Sequence, residues 1–137
     1  MSFDYKKPTT QMLGRWQPWH AGHTALFKKC LLETGQVAIM VRDVGGIVGE
    51  DAGAGRTAAQ VDNPFRWDEV RQNIVDALAT EGFTERKEYI IMLVPNIVDI
   101  SYGRGVGYTF TQHDLGEEIH NISATKIRAQ LRAEGKL

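Results

Sequence analysis

Residues 37–41 read Val-Ala-Ile-Met-Val, a run of apolar side chains with no polar alternation. A strand of this kind is covered on both faces, as in a parallel sheet. Residues 89–94, Tyr-Ile-Ile-Met-Leu-Val, repeat the pattern, and Gln11–Trp16 is a shorter apolar segment that ends before Pro18. The sequence therefore predicts three buried strands.

Helical spacing occupies the segments between these strands. Apolar residues about one turn apart predict a helix over Thr24–Thr34, which Gly35 would end, and a second helix over Glu69–Thr80. We expect a last helix over Ala124–Ala133, and Tyr108–Thr111 alternates weakly, as a fourth strand would. Strands that alternate with helices, joined by right-handed crossovers, indicate an α/β fold: a Rossmann-like parallel sheet with helices on both faces.

Composition sets limits on the class of protein. The chain has 137 residues, 42% of them hydrophobic and 24% charged, so we expect a single globular domain over residues 1–137. Its net charge of −1 argues against nucleic acid as a partner, and no apolar run approaches the roughly 20 residues that cross a membrane. The first residues do not form the apolar stretch of a signal peptide, so we expect a cytoplasmic protein. One cysteine, Cys30, excludes an internal disulfide and a multi-cysteine zinc site.

Two segments have no apolar period. Residues 1–9 are polar and are expected to form a loose N-terminal arm. Residues 45–63 carry five glycines among alanines and acidic residues, and we expect a mobile loop at the edge of the sheet where the strands end.

The segment that follows the first strand carries the strongest functional signal. Residues 14–23 read Gly-Arg-Trp-Gln-Pro-Trp-His-Ala-Gly-His, at the carboxyl end of a strand, where parallel sheets bind ligands. The next helix begins here, and its free N–H groups attract anions. His20 and His23 add donors at the same point, and Arg15 adds a planar group suited to phosphate. Gly14 and Gly22 lack a Cβ, so a backbone or a ligand can come close to them.

We interpret this segment as a phosphate-binding corner. It lacks the Gly-x-x-x-x-Gly-Lys-Ser/Thr pattern of a P-loop. Two alternatives are weaker: the histidines could be ordinary surface or capping residues, or they could bind a metal together with His113 or His120.

A second corner is expected at the start of the last helix, where residues 122–128 read Ile-Ser-Ala-Thr-Lys-Ile-Arg. Ser123 is a good N-cap, since its hydroxyl can accept from an N–H two or three residues further on. Thr125 and Arg128 are three residues apart, so they share one helix face. Alone, this pattern is ordinary helix capping; together with the first corner it predicts a site for a large anion.

Both segments resemble a known group of proteins. Residues 14–23 resemble the G-R-F-Q-P-x-H-x-G-H form of archaeal-type nicotinamide mononucleotide adenylyltransferases, with Trp16 in place of phenylalanine. Residues 122–128 are similar to the I-S-x-T-x-x-R motif of the wider nucleotidylyltransferase superfamily. Residues 63–65, Asn-Pro-Phe, match a further N-P-F segment, and residues 95–97 resemble P-D-I with Asn96 in place of the acid.

The resemblance implies transfer of a nucleoside monophosphate, with AMP favoured, from a triphosphate to a phosphorylated small molecule, with nicotinamide mononucleotide favoured. Magnesium would be held through the phosphates, without a metal site built from protein side chains. The residues that would contact the reacting phosphates are His20, His23 and Arg128. Those that would bind the nucleotide are Gly14, Arg15, Trp16, Gln17, Gly22, Ile122, Ser123 and Thr125. Further candidates for substrate contact are Trp19, Arg42, Asp43, Asn96 and Arg104.

Two other functions remain open from the sequence. The short chain and Ile-Ser-Ala-Thr are equally similar to cytidylyltransferases that use CTP and an alcohol phosphate, although those usually begin G-T-F-D. A nucleotide-binding module without catalytic activity is the other alternative. The sequence also leaves a homo-oligomer open.

Overall fold

The three apolar segments form the strands of one parallel sheet. The computed structural model describes residues 2–43, 63–105, 107–116 and 122–136. Within these ranges the strands are β1 (Thr10–Gly14), β2 (Val37–Arg42) and β3 (Tyr89–Val94), in the spatial order β1-β2-β3. Every pairing is parallel, with Gly14 opposite Val41. The carboxyl ends of the strands therefore lie along one edge.

Helices connect and follow the strands, and the predicted α/β fold with a Rossmann-like parallel sheet is confirmed. They are α1 (Ala21–Thr34), α2 (Trp67–Thr80) and α3 (Ala124–Ala133). Gly35 ends α1 as predicted: it adopts φ +85°, and its N–H donates to the carbonyl of Leu31. The helix α1 begins three residues earlier, and α2 two residues earlier, than their apolar spacing predicted.

The core lies between the sheet and its two crossover helices. Val37, Ile39 and Val41 of β2 are fully buried, in one cluster with Phe27 of α1 and with three residues of α2. Right-handed crossovers between strands added in one direction put their helices on one side, which explains the shared cluster. The helices α1 and α2 therefore lie on the same face of the sheet, and not on both faces as expected. Because side chains alternate along a strand, Ala38, Met40 and Arg42 lie on the opposite face.

The strand β1 is shorter than predicted. It ends at Gly14, whereas the apolar segment continues to Trp16. Trp16 adopts φ +54°, which lies outside the β region, so the chain turns away from the sheet. This turn leads into the segment that carries both histidines.

The N-terminal arm is not loose, contrary to expectation. Gln36 is 6% exposed, and its side-chain amide donates to the carbonyl of Asp4 at 2.6 Å and to the hydroxyl of Thr9 at 2.7 Å. Its amide oxygen accepts from the backbone N–H of Asp4, and the N–H of Phe3 donates to the carbonyl of Arg86. One buried amide thus fixes a segment whose composition alone suggested disorder.

A fourth strand, a mobile loop and the absence of a membrane-spanning segment were also expected from the sequence. Tyr108–Thr111 does not form the fourth strand, since these residues have no regular secondary structure. The loop expected over 45–63 lies outside the described residues, apart from Asn63. Across the part of the chain that the structure describes, every helix is too short or too polar to cross a membrane.

Candidate functional site

The N-terminus of α1 is capped by two histidines. The Nδ1 atom of His20 accepts from the backbone N–H of Gly22 at 3.0 Å, and Nδ1 of His23 accepts from the N–H of His20 at 3.1 Å. These two bonds form a capping box, in which imidazoles take the places usually held by Ser or Thr and Glu. The two rings are stacked, with centroids 3.6 Å apart and planes inclined by 23°.

The capping bonds assign the tautomer of both histidines. A ring nitrogen that accepts from a backbone N–H carries no proton, so each neutral imidazole is protonated at Nε2. Burial lowers the pKa of His20. Burial, and then the charge of His20, lower the pKa of His23 from 6.5 to about 3. Near neutral pH the site therefore has two neutral imidazoles, each with an Nε2–H available to donate.

Two tryptophans pack against the imidazole of His23 from the core side. The ring of His23 meets Trp16 edge-on at 4.7 Å and lies 5.4 Å from the ring of Trp19. The indole N–H of Trp19 donates to the hydroxyl of Thr24 at 2.8 Å, and that of Trp16 donates to the carbonyl of Met40 at 3.0 Å. These contacts hold the rings in place and remove water from one side of His23.

The packing changes the roles expected for both tryptophans. Trp16 and Trp19 are 7% and 6% exposed, so they belong to the core. A base or a nicotinamide ring needs an exposed aromatic face to stack on, and neither indole offers one. Both indoles therefore support the ring of His23, and they are not exposed for the expected contacts with nucleotide and substrate.

Gly14 is required by Trp16. A Cβ at residue 14 would lie 2.8 Å from the Cζ2 atom of the Trp16 ring. The space beside Gly14, where a ligand was expected, is thus occupied by an indole of the same chain. Gly22 is buried, and its N–H is the donor that fixes His20.

Gln17 and Arg15 join this segment to the start of α2. The Gln17 amide is 2% exposed; it donates to the carbonyl of Phe65 at 3.1 Å and accepts from its N–H at 2.8 Å. Arg15 donates to the side-chain oxygen of buried Asn63 at 3.2 Å. Both Gln17 amide atoms are therefore bonded within the protein, so Gln17 links this segment to the start of α2. Asn63 and Phe65 stood out in the sequence only through the Asn-Pro-Phe resemblance, because the partner of a buried amide cannot be derived from spacing.

The second corner is joined to the first through one side chain. Arg128 is 4% exposed; its Nη1 donates to the backbone carbonyl of Gln17 at 2.8 Å, and its Nη2 donates to the hydroxyl of Thr125 at 3.3 Å. Ser123 caps α3, with its hydroxyl accepting from the N–H of Lys126, and half-buried Ile122 precedes it. The two segments singled out in the sequence thus meet, although Arg128 and Gln17 are 111 positions apart.

The remaining candidates for substrate contact follow the second and third strands. Arg42 and Asp43, both half-buried, stand at the carboxyl end of β2, one strand away from Gly14. Asn96 and Arg104 are exposed and follow β3. Among the described residues, neither forms a hydrogen bond or an ion pair with the histidines or with Arg128.

The arrangement is suited to binding an anion. Two helix N-termini and two imidazole donors lie near a buried guanidinium, and each of these groups favours negative charge. Within the described ranges, no three His, Cys, Asp or Glu residues are grouped to hold a metal ion. No model of a known protein family matches the chain, and no curated protein matches it.

Proposed function

We propose that this protein is a nucleotidylyltransferase, which transfers a nucleoside monophosphate from a triphosphate to a phosphorylated small molecule. AMP is the favoured group and nicotinamide mononucleotide the favoured acceptor. The bond from Arg128 to the Gln17 carbonyl carries the proposal, because it brings the Ser-x-Thr corner to the histidine corner. Without that contact, the two segments would be separate helix caps with no common ligand.

The reaction requires charge stabilisation more than proton transfer. An oxygen of the acceptor phosphate attacks the α-phosphorus and forms a new phosphoanhydride bond. The bond between the α- and β-phosphates breaks, and pyrophosphate leaves with its electron pair. The attacking phosphate is already ionised, so no general base is needed, and catalysis consists of positioning and electrostatic stabilisation.

The two histidines fit that requirement as neutral donors. Their Nδ1 atoms are held by backbone N–H groups, so their Nε2–H groups are set before the substrate arrives. A preorganised donor stabilises developing charge without reorganisation during the reaction, which is the main source of its catalytic effect. Magnesium bound to the triphosphate would add positive charge at the same phosphates, held by phosphate oxygens and water.

Release of pyrophosphate tests the proposal. Purified protein is incubated with Mg²⁺, with ATP or CTP, and with nicotinamide mononucleotide, glycerol phosphate or pantetheine phosphate in turn. We expect release only when a triphosphate and an acceptor are both present, most rapidly with ATP and nicotinamide mononucleotide.

The same experiment separates the alternatives. Faster release with CTP and an alcohol phosphate would indicate a cytidylyltransferase. Saturable nucleotide binding without release under any condition would indicate a binding module and would contradict the proposed reaction. The His20→Asn, His23→Asn double variant is the control for a contaminating enzyme, since it should release far less pyrophosphate.

A further inference from the structure

Arg42 has a buried donor for which the described residues provide no acceptor. It is the last residue of β2, the strand between β1 and β3. Its Nε atom is buried and has no hydrogen-bond partner among the residues that the structure describes. An unpaired buried N–H is costly, and one attached to a charged group more so. Such a group is expected to be satisfied when a ligand is bound.

The register places Arg42 at the edge that carries the candidate site. Val41 lies opposite Gly14, so Arg42 stands level with Arg15, the first residue beyond β1. On the other side Arg42 pairs with Val94 at the end of β3. Ligands bind outside this edge of a parallel sheet. The backbone of Arg42 is therefore one residue beyond the pair that Val41 forms with Gly14, the last residue of β1.

Arg42 lies on the opposite face of the sheet from α1. Val41 is fully buried in the cluster that contains Phe27 of α1, and side-chain alternation directs its neighbour Arg42 away from that cluster. Trp16 and His23 pack in contact on the α1 side. The guanidinium and the imidazole pair thus approach the same edge from two sides.

We infer that Arg42 binds the phosphate of the acceptor, an inference that rests on the proposed function. In phosphoryl transfer the attacking oxygen and the leaving group lie roughly in line, on opposite sides of the phosphorus. With the leaving pyrophosphate held by the helix N-terminus on the α1 side, the acceptor enters from the other face. Arg42 is the cation at that position, in the central strand.

The chemistry of the side chain defines the class of acceptor. A guanidinium is always protonated and presents Nε and Nη donors in one plane, which matches two oxygens of a phosphate. Of the carboxylates that the structure describes, none forms an ion pair with Arg42. The acceptor is therefore a phosphate monoester with two free oxygens for Arg42 and a third that attacks.

Steady-state kinetics of Arg42→Gln test the inference. At saturating triphosphate, we expect the KM for the acceptor to rise about 10- to 100-fold, the range for loss of a hydrogen bond to a charged group. The KM for the triphosphate should change less than about threefold. Arg42→Lys should recover part of the loss, because it restores the charge without the planar pair of donors.

Arg86→Gln is the matched control. It removes the same charge from an exposed arginine at the amino-terminal edge of the sheet, three residues before β3 begins at Tyr89. We expect both KM values to stay at the wild-type level. An unchanged acceptor KM in Arg42→Gln, or an equal rise in the triphosphate KM, would overturn the inference.

A titration with inorganic phosphate gives a readout that does not depend on turnover. The ¹⁵N-labelled Nε–H signal of Arg42, identified by its absence in Arg42→Gln, should shift saturably as phosphate is added. A signal that does not move contradicts the phosphate site. Wild-type protein that releases no pyrophosphate with any substrate pair contradicts the proposed function instead, and the titration then decides alone whether Arg42 holds a phosphate.

Discussion

The two corners of the candidate site are built in different ways. At the start of α1, His20 and His23 are fixed by bonds within four residues, and two buried tryptophans pack against His23. At the start of α3, Ser123 makes a longer capping bond of 3.3 Å, and Arg128 supplies the link to the rest of the site. Local contacts therefore preorganise the first corner, whereas the long-range contact from Arg128 to Gln17 positions the second. Substitutions should therefore have different effects at the two corners. Those at the start of α1 should lower the rate of the reaction, and those at the start of α3 should weaken the docking of that helix.

The largest effect is expected at His23, where the protein must be kept folded while the donor is removed. Asparagine places an acceptor near the position of Nδ1 and has nothing near Nε2, so His23→Asn keeps the capping bond and loses the outward donor. We expect pyrophosphate release to fall by about 10²–10³, as when one donor to a developing anion is lost.

Two variants complete that test. His23→Gln places its amide nitrogen near Nε2 and loses the cap, so it should retain more activity than His23→Asn and be less stable. His113→Asn, in the segment after β3, should release pyrophosphate at the wild-type rate. Full activity of His23→Asn would mean that the imidazole only caps the helix.

Arg128→Gln should weaken the docking of α3. Its bond to the Gln17 carbonyl joins a buried charged group to a backbone acceptor, and we expect a loss of about 1.5–3 kcal/mol in the free energy of unfolding. Hydrogen exchange should show the amides of Ala124–Ala133 losing protection while those of α1 keep theirs. Lys126→Gln, an exposed change on the same turn, is the control; equal protection of α3 in wild type and Arg128→Gln would refute the docking role.

Features of the two corners that depend on local sequence could be predicted, and those that depend on long-range contacts could not. The apolar runs 37–41 and 89–94 predicted β2 and β3, and Ser123 predicted the start of α3, because local preferences decide these features. Capping by His20 was only a weaker alternative in the sequence, because histidine is not among the usual N-cap residues. The pairing of Gln17 with Phe65 depends on a fold-level contact 48 positions apart, which no local pattern contains.

Stability should depend on pH through His23. Its pKa is about 3 in the folded protein and is expected near the ordinary 6.5 when unfolded, so between these values the unfolded chain binds more protons. Stability is therefore lost as the pH falls below 6.5, by about 1.4 kcal/mol per pH unit between pH 5.5 and 4. Urea unfolding of wild type and His23→Asn across this range isolates the contribution, because the carboxylates are common to both. If the free energy of unfolding of the two proteins fell equally with pH, the low pKa of His23 would be contradicted.

The smallest effect is expected at the cap of α3. Ser123→Ala removes an acceptor for the N–H of Lys126 at a half-buried position, and the loss of a serine cap costs about 0.5–1 kcal/mol. Ser123→Asp, which restores an acceptor and places negative charge at the helix N-terminus, should recover that stability. The same charge should repel a phosphate at this corner, so Ser123→Asp should raise the KM for the triphosphate although the helix is intact. Recovery of both stability and triphosphate affinity would show that Ser123 caps α3 without facing the anion, and the triphosphate would then be held by the α1 corner and Arg128 alone.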